Sequence, residues 1–328
     1  MINILEIRPN PKSLGNGIDT YCQALRRLFK GSTIINVLPI ENIKTRNVRV
    51  IHEVYYPKAI KDSINSSDVD AVHVNGCTSI SVLQAIYYAH KYGKKIIYSA
   101  HWHPFEYLNN PFLGKIFFHC LLRPLIKKRV DLVFTINKED TDFLSGIHEN
   151  VIQIPHWINE EMVQEIDTIK KSKQILFVGR LNDSNKGIEH IYELPEGKYD
   201  IHCVGKGSIP PRKDITQHVN VSKEVLNKLY AESSLLVVPS KYEAFSYVTL
   251  EALLHNTPVL LTQNVRIADY LKNVSGVDAF DYQDYGKFVD KVELLIGQNV
   301  DVNKVKDIFS ANRVRSIYET AILKLFSK

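Results

Sequence analysis

The chain has 328 residues, of which 45% are apolar and 23% are charged, and its formal net charge is +5. Domains average about 150 residues, so this length predicts two of them, and the composition excludes a largely disordered protein. The modest positive charge favours an anionic ligand and does not call for a nucleic-acid partner. The four cysteines are scattered without a C-x-x-C pair, which argues against a zinc site and favours a reducing compartment.

The N-terminal segment MINILEIRPN has neither the basic region nor the apolar stretch of a secretory signal. The most apolar window, residues 111–130, is interrupted by Lys115, Arg123 and Pro124 and ends in a run of basic residues, so it is not expected to cross a bilayer. These features predict a cytoplasmic protein.

Short apolar runs alternate with helical stretches through the first half of the chain. Buried strands are predicted for INILEI, STIINVL, DAVHVN, KKIIYSA, DLVFTI and VIQIP, and the clearest helices for residues 18–29, 79–90 and 138–144. Alternation of this kind is typical of a doubly wound parallel sheet. We therefore predict an α/β, Rossmann-like domain over residues 1–157.

The alternation restarts after a polar stretch at residues 158–173, with strands predicted for QILFVG, YDIHCVG, SLLVVPS and TPVLLT. A second Rossmann-like domain is predicted over residues 158–310, with a deep cleft between two facing sheets as the ligand site. Residues 311–328 are predicted to be a helix that packs back on the first domain. Its expected apolar stripe consists of Ile317, Ile322, Leu323 and Phe326.

The segment QILFVGRLNDSNKGIEHI has the layout of an anion site. Gly179 and Arg180 end a predicted strand, and Lys186 and Gly187 begin a predicted helix, whose free N–H groups and dipole attract negative charge. Two cations at such a place suit a diphosphate. A solvated turn with two surface cations is an equally acceptable interpretation of this segment alone.

The segment PSKYEAFSYVTLEALLHNTPVLLT places two carboxylates, Glu243 and Glu251, eight residues apart around a helix predicted to start near Phe245. Backbone N–H groups from Ala244 to Tyr247 would face a ligand at the start of that helix. One acidic residue before a helix and one inside it are also common surface choices, so this segment does not decide the function by itself.

Taken in order, GRLNDSNKG, VGKG at residues 204–207 and PS-x2-EAF-x5-EAL-x3-TPVL resemble the retaining glycosyltransferases of family 4, which have the two-domain GT-B fold. The resemblance implies that Glu243 contacts the donor sugar, that Glu251 holds the nucleotide ribose and that Arg180 and Lys186 bind the diphosphate. The remaining residues that it assigns to the donor site are Gly179, Gly205, Ala244, Phe245 and Ser246.

The chain departs from the family pattern at two places. The family usually has E-G-F-G where this sequence has Glu243-Ala244-Phe245-Ser246, and the Gly-Gly and Glu expected after Thr262 are replaced by Gln263, Asn264 and Asp269. The sequence therefore leaves the identity of the donor open.

Two features on the N-terminal side also resemble the family. Gly15 and Gly17 fall in a loop that resembles the family's glycine loop, which implies that they bind the donor, because that loop covers the donor phosphates or the acceptor. Tyr21 lies on the helix behind the loop, and His101 resembles the histidine near the reaction centre. A plain β-to-α turn remains the alternative for the glycines. His101 and His103 could instead be metal ligands or simply loop residues, but no acidic or cysteine cluster accompanies them, and no metal or other cofactor is predicted.

Together these features predict a retaining transferase that moves a sugar from a nucleoside diphosphate to a saccharide or lipid-linked saccharide, in surface polysaccharide or glycolipid assembly. His101, Glu243, Arg180 and Lys186 are the predicted catalytic residues, with the two cations stabilising the leaving group in place of a metal. An epimerase or hydrolase of the same fold and a non-catalytic nucleotide-sugar-binding module stay open as alternatives. A dinucleotide oxidoreductase is disfavoured because no G-x-G-x-x-G opens a helix.

Residues 111–130 present a further motif. Lys115, His119, Arg123 and Lys127 recur at four-residue spacing beside the apolar residues Phe112, Phe117, Leu121 and Leu125. The segment is interpreted either as a core-packed helix with one wet face or as a helix in peripheral contact with the inner membrane surface.

Overall fold

The computed structural model describes residues 1–8, 17–40, 46–48, 53–55, 57–76, 79–101, 111–159, 162, 166 and 169–327. The chain divides into two compact units. The first contains Met1–His156 together with Ala311–Lys328, and the second contains Trp157–Ser310.

The first unit is built on a six-stranded parallel sheet, as the alternating pattern predicted. Its strands, in spatial order, are β2 (Ile35–Leu38), β1 (Ile2–Ile7), β5 (Ala71–Asn75), β6 (Lys95–Ser99), β7 (Leu132–Thr135) and β8 (Val151–Gln153). A separate antiparallel pair, β3 (Arg46–Val48) and β4 (Glu53–Tyr55), was not predicted. The chain leaves β1 towards β2 on one side and returns on the other side at β5, so the strand order reverses between β1 and β5.

Helices of the first unit cover this sheet. They are α1 (Gly17–Leu28), α2 (Pro57–Ile64), α3 (Ile80–Lys91), α4 (Pro111–Ile116), a π-helix (Phe117–Leu122), α5 (Arg123–Arg129) and α6 (Lys138–Ser145). Their apolar faces join the central strands in one core, in which Val72, Val74 and Ile86 are completely buried. The predicted helices at residues 18–29, 79–90 and 138–144 are thus confirmed to within one residue at each end.

The C-terminal segment also belongs to the first unit, where it forms a single long helix of 16 residues. Its buried face is not the predicted one: Leu323 and Phe326 are 47% and 37% exposed, and only Ile322 of the predicted stripe is buried. The buried residues are Val314, Tyr318, Ala321, Ile322 and Leu325. They follow the i, i+4, i+7, i+8, i+11 spacing of one helical face, which the predicted set did not.

The second unit has its own six-stranded parallel sheet. Its strands, in spatial order, are β11 (Ile215–His218), β10 (Asp200–Val204), β9 (Gln174–Val178), β12 (Leu235–Val238), β13 (Val259–Thr262) and β14 (Val277–Phe280). The four predicted strands occupy the middle of this sheet. The two edge strands, β11 and β14, were missed because most of their residues are only half-buried and show no strong apolar run.

Helices of the second unit are α7 (Glu189–Tyr192), α8 (Lys223–Glu232), α9 (Tyr247–Leu254), α10 (Ala268–Leu271), α11 (Tyr285–Leu295) and α12 (Val302–Ile308). The C-terminal helix of the first unit, already described, is α13 (Ala311–Phe326). Strand order reverses between β9 and β12, and ligands of doubly wound sheets bind outside the carboxyl ends of the strands at such a reversal. The predicted anion segment follows β9, and the two-carboxylate segment follows β12. Both motifs therefore lie at the expected place of the second sheet.

Candidate active site

A partly buried ion pair joins the two motifs of the second unit. Lys186 Nζ lies 2.7 Å from Glu243 Oε1, and the two side chains are 21% and 11% exposed. Ser240, at the end of β12, donates a hydrogen bond of 2.6 Å from Oγ to the same carboxylate oxygen. The charges of Lys186 and Glu243 are thus held at one point beside the strand reversal.

Backbone and amide hydrogen bonds fix the two loops that carry this pair. Asn185 Nδ2 donates to the carbonyl of Tyr242 at 2.9 Å, and Lys241 N donates to the carbonyl of Asn185 at 2.8 Å. The loop after β13 holds Glu243 as well, because Glu243 N donates to Asn264 O and Arg266 N donates to Glu243 O. The segment in which this chain departs from the family pattern therefore supports the backbone of the first carboxylate.

Arg180 is placed differently from Lys186. Its guanidinium lies 2.6 Å from Asp183 and its side chain is 73% exposed. The structure thus gives Arg180 a carboxylate partner within its own loop, which the sequence did not predict. A diphosphate would have to draw this exposed side chain from Asp183.

Two of the three glycines of this region, Gly205 and Gly187, have steric explanations. A Cβ on Gly205, whose φ is +154°, would lie 1.7 Å from the carbonyl oxygen of Gly179, and a Cβ on Gly187, whose φ is +65°, would lie 1.9 Å from that of Pro239. Gly179 faces the Lys186 side chain, whose Cδ would be 3.4 Å from an added Cβ. Gly205 and Gly187 thus allow backbone segments to approach closely at the strand ends.

The two predicted helix starts need correction. The helix expected from Lys186 is the single turn α7, which begins only at Glu189, so it offers little helix dipole to an anion. The helix expected near Phe245 is α9, which begins at Tyr247 with Ser246 as its N-cap residue. Glu251 is the fifth residue of α9 and lies little more than one turn into it.

Glu251 is held by a helix of its own unit that the sequence motifs did not include. Lys223 Nζ donates to Glu251 Oε1 at 2.5 Å and Tyr230 Oη donates to Oε2 at 3.0 Å, both from α8. Burial and the neighbouring carboxylate raise the pKa of Tyr230 well above its usual value, so its hydroxyl stays a donor. The two predicted carboxylates are therefore bound by different elements, Glu243 by the loops after β9 and β12 and Glu251 by α8.

The other residues predicted around Glu243 are largely covered. Phe245 is 9% exposed, and its ring centroid lies 5.6 Å from that of Tyr247 and 5.8 Å from that of Phe309, so the side chain packs in an aromatic group. Ala244 is half-buried. Ser246 is buried, and its hydroxyl has no hydrogen-bond partner among the described residues.

In the first unit, His101 follows β6, next to the strand reversal. Its φ of +55° is a strained, left-handed conformation for a residue other than glycine, and its Nε2 lies 2.8 Å from Asn75 Oδ1. The Asn75 amide nitrogen donates to the carbonyls of Ile7 and His73, so Asn75 Oδ1 must be the acceptor from His101. His101 Nδ1 is then the unprotonated ring nitrogen, and it has no hydrogen-bond partner among the described residues.

Other rings surround His101. Tyr21 of α1 lies 4.4 Å away between ring centroids, and His156 stacks parallel to His101 at 5.9 Å. Burial lowers the pKa of His101 to about 3 and that of His73 to about 3, and it also lowers the pKa of His156. His101 is accordingly a neutral ring at ordinary pH, and only a hydrogen-bond donor can satisfy its Nδ1.

The structure says less about the remaining residues of the first unit that the sequence singled out. Gly17 is the first residue of α1, where a Cβ would meet no atom within 4 Å, and Gly15, Trp102 and His103 lie outside the described residues. Within the described ranges, no group of three or more histidines, cysteines or carboxylates is arranged to hold a metal ion.

The second unit is similar to a known protein family. Residues 172–298, which lie inside the second unit and contain both Glu243 and Glu251, match the family model described as glycosyl transferases group 1. The second unit is a group 1 glycosyltransferase domain. The group 1 domain thus supplies Lys186, Glu243 and Glu251, and the chain is a glycosyltransferase built from two Rossmann-like units, as in the GT-B fold.

This glycosyltransferase is similar to one protein in sequence and to two solved structures in fold. It is 19% identical over 269 residues to an uncharacterized 41.2 kDa protein in the cps region of Klebsiella pneumoniae, covering 75% of this chain and 74% of that protein. Sucrose-phosphate synthase from Thermosynechococcus elongatus is 15% identical with a TM-score of 0.73, and Anabaena HepE in complex with UDP-glucose is 12% identical with a TM-score of 0.70. Both structures are covered completely and cover all of this chain, so the likeness extends to both units of the fold.

Proposed function

We propose that this glycosyltransferase moves a sugar from a nucleoside diphosphate to a hydroxyl of a saccharide or lipid-linked saccharide, with retention of the anomeric configuration. The observation that carries the proposal is the Lys186–Glu243 ion pair at the strand reversal of the group 1 domain. The HepE structure supports a nucleotide-sugar donor, because that protein is in complex with UDP-glucose. The relative in a cps region supports a role in polysaccharide or glycolipid assembly. We propose the cytoplasmic face of a membrane as the place of this reaction.

In this proposal the two partners of the ion pair contact different parts of the donor, Lys186 the diphosphate and Glu243 the sugar. Lys186 turns its ammonium group to the diphosphate, and Arg180 joins it from Asp183, so two cations stabilise the charge that develops on the leaving group without a metal ion. Glu243 then lies free beside the sugar and holds a hydroxyl. Glu251 binds the two ribose hydroxyls from α9.

In the first unit, His101 is a neutral ring. Since its Nδ1 is an acceptor without a partner among the described residues, it is suited to receive a hydrogen bond from a sugar hydroxyl. For retention, the acceptor hydroxyl approaches on the face from which the diphosphate leaves, and a phosphate oxygen takes its proton. No residue of the chain then has to act as the base.

A thermal-shift screen tests the donor first. UDP-, GDP- and ADP-sugars are added to the full chain, and one of them is expected to raise the melting temperature, since a ligand that binds only the folded state stabilises it. The product formed from that donor and a saccharide acceptor is then examined by NMR, with and without EDTA. An α-linked product from an α-linked donor, formed equally well in EDTA, supports retention without a metal.

Other products would contradict the proposal in distinguishable ways. Free sugar as the final product indicates a hydrolase, an altered donor sugar indicates an epimerase, and binding without turnover indicates a non-catalytic module. A β-linked product shows inversion and overturns the retaining mechanism alone.

A further inference from the structure

We propose that the helical segment from Pro111 to Arg129 in the first unit docks on an anionic lipid surface. The segment contains five lysine and arginine residues and no aspartate or glutamate. It is continuous, because the π-helix joins α4 to α5, and the N–H of Arg123 donates to the carbonyl of Phe118 across the junction. None of the described helices is long and apolar enough to span a bilayer, so any contact would be with the surface.

The π-turn aligns this helix so that one row of residues is buried along its whole length. Residues four apart drift by about 40° around an α-helix, since each residue turns about 100°. A π-turn has a wider i to i+5 bond, which offsets this drift. Phe118, Leu122 and Ile126 therefore stay on the core side and are at most 2% exposed.

The same geometry keeps an apolar row on the side away from the core. A second row with four-residue spacing lies two residues before the buried row in the sequence, and it consists of Phe112, Ile116, Cys120 and Pro124. All four residues are exposed. Phe112 is 71% exposed and Ile116 is 43% exposed. A solvated helix of a globular protein would carry polar residues on this side, so the row facing away from the core has the opposite character.

Cations and further apolar side chains flank this row. Lys115, His119, Arg123 and Lys127 occupy the positions one residue after the buried row, and all are exposed. On the other flank, Leu113 and Leu121 are 59% and 48% exposed. Phe117 and Leu125, which the sequence analysis placed beside the basic residues, are partly buried against the core.

An anionic bilayer matches all of these features together. Its acyl boundary accepts exposed phenylalanine, leucine and isoleucine, and its phosphate groups attract flanking lysine and arginine. A protein partner would cover the apolar row but would need a strongly acidic rim to match the uninterrupted positive charge. Because charge and apolar exposure run side by side along the whole helix, we assign the lipid surface as the occupant.

Co-sedimentation of the full chain with vesicles tests this assignment. Phosphatidylglycerol vesicles are expected to pull down the protein, and phosphatidylcholine vesicles are expected to bind it at least tenfold less tightly. The double variant Lys127→Gln/Lys128→Gln should lose at least tenfold in affinity for phosphatidylglycerol. Phe112→Ser/Ile116→Ser should lose as much, and its residual binding should be abolished by salt, since only screened charges remain.

Matched variants show whether the effect belongs to this helix. Lys58→Gln/Lys61→Gln removes two exposed cations of α2, and Leu294→Ser removes a side chain that is 73% exposed in the second unit. Both are expected to bind vesicles as the unaltered protein does. Because all of the altered side chains are exposed, every variant is expected to fold, and thermal melting checks this.

Three results would overturn the proposal. The first is equal sedimentation of the unaltered protein with and without phosphatidylglycerol. The second is vesicle binding that the helix variants and the matched variants reduce alike. The third is a concentration-dependent dimer that Phe112→Ser/Ile116→Ser dissociates in sedimentation velocity, which would make a second copy of the chain the occupant. Transfer to a water-soluble acceptor, measured in parallel, reports separately on the proposed function.

Discussion

Lys186 and Glu243 are 57 residues apart in the sequence, yet their side chains form an ion pair of 2.7 Å in the group 1 domain. The pair is mostly buried, so each charge has lost part of its hydration, and the attraction between the two charges compensates for this loss. In the proposed reaction a bound donor takes over both partners. The pair would then orient the two side chains in the free protein and release them to the donor.

Lys186→Ala should weaken binding of the nucleoside diphosphate that gives the largest thermal shift. Loss of one charge-assisted hydrogen bond, at about 1.5–3 kcal/mol, corresponds to roughly a tenfold to hundredfold rise in Kd. Isothermal titration calorimetry measures this. Lys291→Ala, which removes the Lys291–Asp278 ion pair of the same unit, is the matched control and should keep full affinity. Unchanged affinity of Lys186→Ala would count against a diphosphate at this place.

Glu251→Ala should likewise weaken nucleotide binding, because the proposed ribose contact disappears. Tyr230→Phe keeps the carboxylate and removes only one of its two donors, so its Kd should rise less than that of Glu251→Ala. Glu293→Ala removes a half-exposed glutamate of α11 and should leave binding intact. If Glu251→Ala and Glu293→Ala bind a nucleoside diphosphate equally well, Glu251 does not hold the ribose.

Gly205→Ala should destabilise the second unit by about 3 kcal/mol or more, since the new Cβ would overlap the Gly179 carbonyl at a φ of +154°. Gly197→Ala is the matched control. Gly197 also has a positive φ, +76°, but no atom lies within 4 Å of an added Cβ, so only about 1 kcal/mol of backbone strain is expected. Urea unfolding of both variants measures the difference. Equal destabilisation would show that the close contact with Gly179 is relaxed easily.

The free energy of unfolding should fall as the pH is lowered from about 6.5. Burial holds the pKa of His73 and His101 at about 3 in the folded protein, whereas histidine in an unfolded chain titrates near pH 6.5. Between these values the unfolded chain binds more protons, so stability is fully present above the higher value and is lost as the pH falls towards the lower one. Each ring should contribute a loss of about 2 kcal/mol between pH 6.5 and pH 5.

Urea titrations at a series of pH values test this dependence. His101→Gln should lower the slope between pH 6.5 and pH 5, because one buried titrating ring has been removed. His90→Gln replaces an exposed histidine of α3 and should leave the slope unchanged. A slope that His101→Gln does not alter would mean that the His101 ring becomes protonated without unfolding.

Much of the fold followed from local patterns. The central strands of both sheets are continuous apolar runs, and such runs are predictable because strands covered on both faces have no polar side to display. The edge strands β11 and β14 are half-exposed, so their residues carry no comparable signal. The buried face of the C-terminal helix was assigned wrongly because Tyr318, whose hydroxyl reaches the buried His73 ring, was not counted as a core residue.

The sequence by itself determined the order of the central strands of both sheets, three helices of the first unit and the places of the motifs after β9 and β12, because apolar periodicity and loop residues are local properties. Only the tertiary structure decided which charges meet. Lys223 reaches Glu251 across 28 residues, and Arg180 turns to Asp183 rather than standing free. Such pairs depend on how elements distant in the chain pack against one another, and the local sequence around one partner does not predict the other.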